Sequence, residues 1–223
     1  MRSMPAGMTA PAFHDRSQNG FDAPVPGLAG CPAVDPLLSD LIRHLAPGHP
    51  GTGFRNVATL IQADRAELLR AGLPGSAHQT LALFRRVALA LSRERLADRP
   101  VIGDEAAVLA HARTWLAGRR REAVLVLFLD RRNGLVADEI VAEGDLTGVR
   151  LSPREVLRRA LAHDATALIL AHNHPSGDST PSKGDIETTR ALADAATALD
   201  ITLHDHLVLG RGAPFSFRRA GLL

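Results

Sequence analysis

Four side chains that could bind or polarise a substrate lie within one short segment, residues 172–185, which reads HNHPSGDSTPSKGD. His172 and His174 lie two positions apart, and Ser182 and Asp185 follow them after a short loop. Two imidazoles and a carboxylate are ligands of the kind that catalytic zinc uses, with a fourth coordination position left for water. The segment therefore predicts a zinc site held by His172, His174 and Asp185, with one zinc ion per chain.

Ser182 and Asp185 also have a purely structural interpretation. A serine followed three residues later by an aspartate is typical of a helix start. There the serine caps free N–H groups, and the carboxylate lies near the positive end of the helix dipole. The two interpretations are compatible, because one side chain can both start a helix and face a metal ion.

The elements around this segment would hold it rigidly. Residues 165–171 read ATALILA, a short continuous apolar run that predicts a strand buried on both faces. His172 and His174 follow where this strand is expected to end, and a bend at Pro175 would let the two imidazoles converge. A helical pattern begins after Pro181, so Asp185 is expected in the first turn of a helix.

The order His-x-His, seven residues, Ser, two residues, Asp resembles the motif of the JAMM (MPN+) zinc metalloproteases. Neighbouring residues resemble the RadC-type branch of this family, over about residues 123–221: Pro153-Arg154-Glu155, residues 172–177 (HNHPSG), Pro181-Ser182 and Asp205-His206. The resemblance implies an α/β fold, a mixed β-sheet flanked by helices of the JAMM/MPN, cytidine-deaminase-like type. It also implies hydrolysis of a peptide or isopeptide bond in a protein or peptide substrate.

A catalytic base has to come from elsewhere in the chain. Residues 123–130 (AVLVLFLD) and Leu135–Glu143 read as two strands joined by an Asn-Gly hairpin. Glu139 lies among apolar residues of the second strand, so it either faces solvent or has a partner. The resemblance implies that Glu139 is the general acid/base, with Glu143 on the same predicted face as second choice, and that Ser182 stabilises the oxyanion. A buried carboxyl of this kind could have a pKa suited to proton transfer near neutral pH.

Further histidines lie outside the motif. His204 and His206 flank Asp205 in a predicted strand, and such a pair could form a second metal site. Alternatively, Asp205 or His206 orients a ligand of the first site. His111 is expected to be a partly buried packing residue on a helix, and His163 is expected in an exposed turn after another helix.

Three segments are predicted along the chain: a flexible tail at 1–33, a helical module at 34–98 and the metal-binding domain at 99–223. The tail is rich in Pro, Gly, Ser and Asp. The turn at 71–77 (AGLPGSA) resembles a degenerate helix-hairpin-helix, whose backbone N–H groups can hold a DNA phosphate. Two rival functions follow, a DNA-associated factor with a weak DNA contact through this module and a metal-binding protein without hydrolytic activity.

Composition excludes several classes of protein. The chain has 223 residues, 45% of them hydrophobic, and a net charge of only +2. Its single cysteine, Cys31, rules out an internal disulfide and a multi-cysteine metal site. All basic residues except Lys183 are arginine, a bias of the whole chain, so the Arg119–Arg121 run reads first as a solvated turn. With neither a secretory signal nor a membrane span in the pattern, a cytoplasmic location is expected.

Overall fold

Short capped helices make up the first part of the chain. The computed structural model describes residues 35–49, 53–97, 100–144 and 151–223. Its first helices are α1 (Pro36–Leu45), α2 (Val57–Gln62), α3 (Arg65–Arg70), α4 (Ala77–Ala97) and α5 (Glu105–Leu116). Asp35 caps α1, and capping boxes open α2 and α3, because their first-turn N–H groups would otherwise lack acceptors. Helices α1–α4 enclose a core of their own, formed mainly by leucines.

A five-stranded mixed sheet and two more helices make up the rest of the described chain. The strands are β1 (Ala123–Leu129), β2 (Leu135–Glu143), β3 (Ala167–Asn173), β4 (Thr202–Leu209) and β5 (Phe215–Ser216), and the helices are α6 (Pro153–Ala162) and α7 (Lys183–Thr197). The sheet order is β2-β1-β3-β4-β5. Only β3 and β4 are parallel, and α7 provides the crossover between them.

Helices cover both faces of this sheet. Odd-numbered residues of β1, such as Leu125 and Leu127, pack against α5. Even-numbered residues, such as Val126 and Phe128, pack against α6 and α7. Because β1 and β3 are buried along their whole length, they carry continuous apolar runs, as strands covered on both faces do. This arrangement confirms the predicted fold class.

Two sequence expectations need comment. Strand β3 runs two residues further than its apolar run, so His172 is the sixth residue of the strand and lies within the sheet. The predicted tail at 1–33 lies outside the described residues, and the division of the chain near residue 98 stays a prediction. None of the helices in the described ranges combines the length and hydrophobicity that a bilayer span demands.

Candidate metal centre

The three predicted ligands converge where β3 ends and α7 begins. His172 is only 1% exposed at the end of β3, His174 follows directly after the strand, and Asp185 lies in the first turn of α7. One ligand atom from each residue lies within 4.8 Å of the other two. Within the described residues, no other group of three or more such side chains meets this criterion.

The distances between these atoms match the edges of a zinc tetrahedron. The two Nε2 atoms are 2.9 Å apart, and Asp185 lies 3.5 Å from His172 Nε2 through Oδ1 and 3.6 Å from His174 Nε2 through Oδ2. Zinc bonds of roughly 2.0–2.1 Å to nitrogen and oxygen give ligand separations of about 3.3 Å in a tetrahedron. The side chains are therefore spaced to share one ion.

A hydrogen-bond chain behind His172 sets its tautomer. Thr189 Oγ1 donates to the Asp185 carbonyl oxygen at 2.6 Å, so it has to accept from His206 Nδ1, also at 2.6 Å. Complete burial is the largest cause that lowers the pKa of His206 well below its usual value, and this keeps the imidazole neutral. Its Nε2 is then an acceptor, and His172 Nδ1 donates to it at 2.8 Å. With Nδ1 used in this way, Nε2 is the ring nitrogen of His172 that faces the cluster.

His174 is oriented in the same way by the loop. Its Nδ1 donates to the Asp178 carbonyl oxygen at 2.8 Å, which leaves Nε2 to face the cluster. The two Nε2 atoms thus face each other 2.9 Å apart, a spacing that requires a cation or a proton between them. This donor set fits the zinc ion that the motif implies.

Asp185 starts α7 and also faces the two candidate histidine ligands. Ser182 donates to Asp185 Oδ2 through its backbone N–H and its hydroxyl, each at 2.7 Å, and Asp185 N–H donates back to Ser182 Oγ at 3.1 Å. Burial raises the pKa of Asp185, but its contact with His172 and the hydrogen bonds from Ser182 outweigh this effect and hold the pKa well below the usual range. The carboxylate is therefore a permanent anion that opens the helix and faces both imidazoles.

Glu139 lies on the same face of the sheet as His172, at some distance from it. Val126 pairs with Glu139 on one side and with Leu170 on the other, whereas His172 pairs with Val124. Cross-strand partners share a face, and two strand spacings of 4.7–4.9 Å place the two backbones roughly 10 Å apart across the sheet. A glutamate side chain directed along the face towards His172 could approach a substrate there.

In the structure, the Glu139 carboxylate contacts α6. Arg159 Nη1 donates to Oε2 and His163 Nε2 donates to Oε1, both at 2.6 Å. The hydrogen bond from His163 is the largest cause that lowers the pKa of Glu139, and the contact with Arg159 adds to it against partial burial. The direction is opposite to the raised pKa that burial alone would give. His163 is thus a partner of Glu139 that its expected turn position did not predict.

Glu143 does not share the face of Glu139, so the assumption behind this second choice is wrong. A register shift beside Val124 and Leu125 inserts an extra residue into β2, so Ala142 lies opposite Val124 and Glu143 opposite Ala123. The extra residue moves Glu143 to the α5 face, where Arg119 Nη1 donates to it at 3.1 Å.

A register shift also separates His204 from His206 in β4. It lies beside Leu168 and Ile169 and leaves His204 as an extra residue without a partner in β3. His206 pairs with Leu170 and faces α7, whereas Asp205 pairs with Ile169 and faces the opposite side. Asp205 accepts from Ser216 Oγ, at the end of β5, at 2.6 Å and so contacts that strand and not a candidate ligand. His204 contacts Asn133 at 2.8 Å, and the pair forms no second metal site among the described residues.

Replacing His206 with phenylalanine is expected to weaken zinc binding. The ring should keep its stacking on Phe217, now with centroids 4.9 Å apart, but His172 Nδ1 would lose its acceptor. Loss of such an outer partner typically costs about 10–100-fold in metal affinity. Competition with a chromogenic chelator measures the change. Asp205→Asn is the control and should bind zinc as the wild type does; equal affinities in all three proteins would contradict the role given to His206.

Comparisons with known proteins cover the sheet and this site. Residues 102–222 match the family model described as the RadC-like JAB domain. The chain is 50% identical over 145 residues to a UPF0758 protein of Rhodobacter capsulatus, an alignment covering 65% of this chain and 68% of that protein. It is 47% identical over 133 residues to a UPF0758 protein of Ruegeria pomeroyi, covering 60% of this chain and 59% of that one. The family match contains every candidate ligand and Glu139.

Proposed function

The chain belongs to the RadC-like JAB domain family, and from this premise we propose that it is a zinc-dependent hydrolase that cleaves a peptide or isopeptide bond. The observation that carries the proposal is the convergence of His172 Nε2, His174 Nε2 and the Asp185 carboxylate, whose ligand atoms all lie within 4.8 Å of one another. Three protein ligands leave one coordination position open, which is typical of catalytic zinc sites and not of structural ones.

Each residue of the site has a distinct role in this proposal. His172, His174 and Asp185 hold the ion, which supplies a Lewis acid for water activation and carbonyl polarisation. Glu139 is ionised at neutral pH, since its pKa is lowered, and accepts the proton of the attacking water. Ser182 is exposed at the start of α7, where its hydroxyl can turn from Asp185 to the carbonyl oxygen that becomes negative.

Metal analysis of the full-length protein tests the ligands first. Wild type is expected to bind about one zinc per chain, and His174→Ala less than a tenth of that, because two remaining ligands rarely hold zinc. His204→Ala is the matched control. It removes a half-buried histidine of β4 that contacts Asn133 and lies outside the candidate cluster, so this variant should keep its zinc. Full occupancy in His174→Ala, with an unchanged circular dichroism spectrum, would contradict the site.

Hydrolysis is tested on the same preparations. Zinc-loaded wild type is incubated with a proteome-derived peptide library and with isopeptide-linked peptide pairs, and new amino termini are identified by mass spectrometry. Wild type should generate cleavage products that His174→Ala does not. If zinc-loaded wild type cleaves neither set, the proposal of a hydrolase fails and a metal-binding protein without hydrolytic activity is left.

A further inference from the structure

A cleft lined by arginines opens directly beside the candidate metal centre. It has a volume of about 630 Å³ and lies between the start of α2, the end of α5 and the loop that carries His174. Its described lining contains five arginines and no aspartate or glutamate: Arg55, Arg113, Arg119, Arg120 and Arg211. His174 belongs to the same lining, so a molecule in the cleft would extend to a zinc ligand.

Two glycines allow the walls of this cleft to approach each other closely. Gly118 ends α5 with a φ of +82°, and a Cβ there would collide with the backbone of Ala58 in α2. Gly210 lies against the backbone of Gly177 in the metal loop, where a Cβ would also collide. Because these contacts are between backbones, the arginines of three separate elements converge on one space.

The charge of several of these arginines is not neutralised. Arg119 pairs with Glu143 at 3.1 Å, and Arg120 with Glu67 at 3.1 Å. In the part of the chain that the structure describes, Arg55, Arg113 and Arg211 form no ion pair with a carboxylate. Like charges brought together without counterions favour an anionic ligand.

Arg211 joins the cleft to the metal loop. Its Nη2 donates to the Ser176 carbonyl oxygen at 2.8 Å, and its backbone N–H donates to the Gly177 carbonyl oxygen at 2.9 Å. Its side chain packs so closely on Gly177 that a Cβ there would collide with it. The guanidinium is therefore held against the loop that follows His174 and keeps further N–H donors for a ligand.

We propose that this cleft binds acidic side chains of the polypeptide substrate beside the bond that is cleaved, with Arg113 and Arg211 as specificity-determining residues. The inference rests on the proposed function, because it takes the ligand of the cleft to be part of the substrate. A guanidinium binds a carboxylate through two parallel hydrogen bonds, and Leu116, Pro175 and Leu209 supply apolar surface for the rest of the peptide.

The dimensions of the cleft favour a peptide over double-stranded DNA. Its volume of about 630 Å³ falls within the roughly 300–1,000 Å³ of pockets for small ligands. A duplex, whose major groove alone is about 12 Å wide, is too large to enter it. A single nucleic-acid strand could enter, so it is included as a competing ligand in the test.

Fluorescence anisotropy with the full-length, zinc-loaded Glu139→Gln protein tests the proposal without turnover. The probe is a labelled eight-residue peptide of alternating glutamate and glycine, compared with the same peptide carrying glutamine in place of glutamate. The acidic peptide should bind at least tenfold tighter at low salt. Arg113→Ala and Arg211→Ala should each weaken its binding about tenfold, since a hydrogen-bonded charge is lost. Arg190→Ala, an exposed arginine of α7 outside the cleft, should change it less than twofold.

Three outcomes would overturn the proposal. They are equal binding of the acidic and the neutral peptide, unchanged binding in both cleft variants, and tighter binding of an eight-nucleotide oligothymidylate that depends on the same arginines. The last result would assign the cleft to single-stranded nucleic acid. Because binding is measured without turnover, a protein that hydrolyses nothing can still bind the acidic peptide, and a hydrolase can fail to bind it. Failure of this binding proposal can thus be distinguished from failure of the proposed hydrolase function.

Discussion

Replacing Glu139 with glutamine is expected to abolish hydrolysis while zinc stays bound. The carboxylate lies on the same face of the sheet as His172, and the hydrogen bond from His163 keeps it ionised by lowering its pKa. Glutamine has nearly the same shape but cannot accept the proton of the attacking water. Loss of a general base typically costs about 10²–10⁴-fold in rate. The measurement is kcat/KM on a peptide found in the library experiment, with the zinc content determined on the same samples.

Glu143→Gln is the matched control for this prediction. Glu143 lies four residues further along the same strand, but its carboxylate pairs with Arg119 on the α5 face. Its substitution should change kcat/KM less than threefold. Equal hydrolysis by wild type and Glu139→Gln would reject Glu139 as the base. Equal losses in both variants would instead indicate general damage to β2.

Glu139 has to leave its contacts on α6 if it is to act on a substrate beside His172. Arg159 and His163 hold both of its oxygens, each at 2.6 Å. A side chain bound at two points reorients only when a competing partner replaces them. A substrate group that binds Arg159 would provide such a partner. The structure thus places the proposed base on the same face of the sheet as His172 but holds its carboxylate on α6.

Local patterns predicted the parts of this protein that depend on neighbouring residues in the chain. The ATALILA run predicted a buried strand, because a strand covered on both faces shows no alternation. Ser182 and Asp185 predicted a capped helix start, because the capping box is closed by residues three apart. The convergence of His172, His174 and Asp185 followed from these two elements, since the end of a strand and the start of a helix place the three candidate ligands together.

The features that the sequence did not predict depend on pairing between distant strands. The inserted residue in β2 moved Glu143 to the other face, and a similar shift beside Leu168 and Ile169 altered the alternation of β4. A bulge is specified by the partner strand as much as by its own residues, so period-two reasoning fails beyond it. Thr189 was also missed, although its position one turn after Asp185 in α7 was a usable signal.

The complete burial of His111 was another feature that the sequence did not predict. His111 belongs to a buried network around Asp138. His111 was expected to be a partly buried packing residue of α5, but it is completely buried. His111 and the partly buried Trp115 of the same helix both donate to Asp138 Oδ2. The distances are 2.8 Å from His111 Nε2 and 2.6 Å from Trp115 Nε1. Arg93, from α4, forms an ion pair with the other oxygen of Asp138. One carboxylate therefore connects α4, α5 and β2.

Replacing Asp138 with alanine is expected to destabilise the protein severely. The substitution would leave His111 without its partner inside the core and Arg93 without a counterion. Breaking a buried pair by removing one member costs about 3–5 kcal/mol, a large share of the roughly 5–15 kcal/mol that stabilises a typical domain. Urea unfolding followed by circular dichroism measures the loss. Asp194→Ala, on the exposed side of α7, is the control and should change the unfolding free energy by less than about 0.5 kcal/mol.

The dependence of stability on pH should identify the same carboxylate. Burial raises the pKa of Asp138, but hydrogen bonds from His111 and Trp115, together with the charges of His111 and Arg93, lower it below its ordinary value of 3.8. A group with a lowered pKa stabilises the folded state above its unfolded pKa and loses that contribution as the pH falls through the folded value. As the pH is lowered below about 4, wild type should therefore lose more of its unfolding free energy than Asp138→Ala does. Parallel losses in the two proteins would contradict the network.

Loss of the Asp138 anchor should also displace the proposed base, because Glu139 is the next residue of β2 and faces the opposite side of the sheet. Activity at 25 °C is expected to fall in Asp138→Ala even where most molecules are still folded.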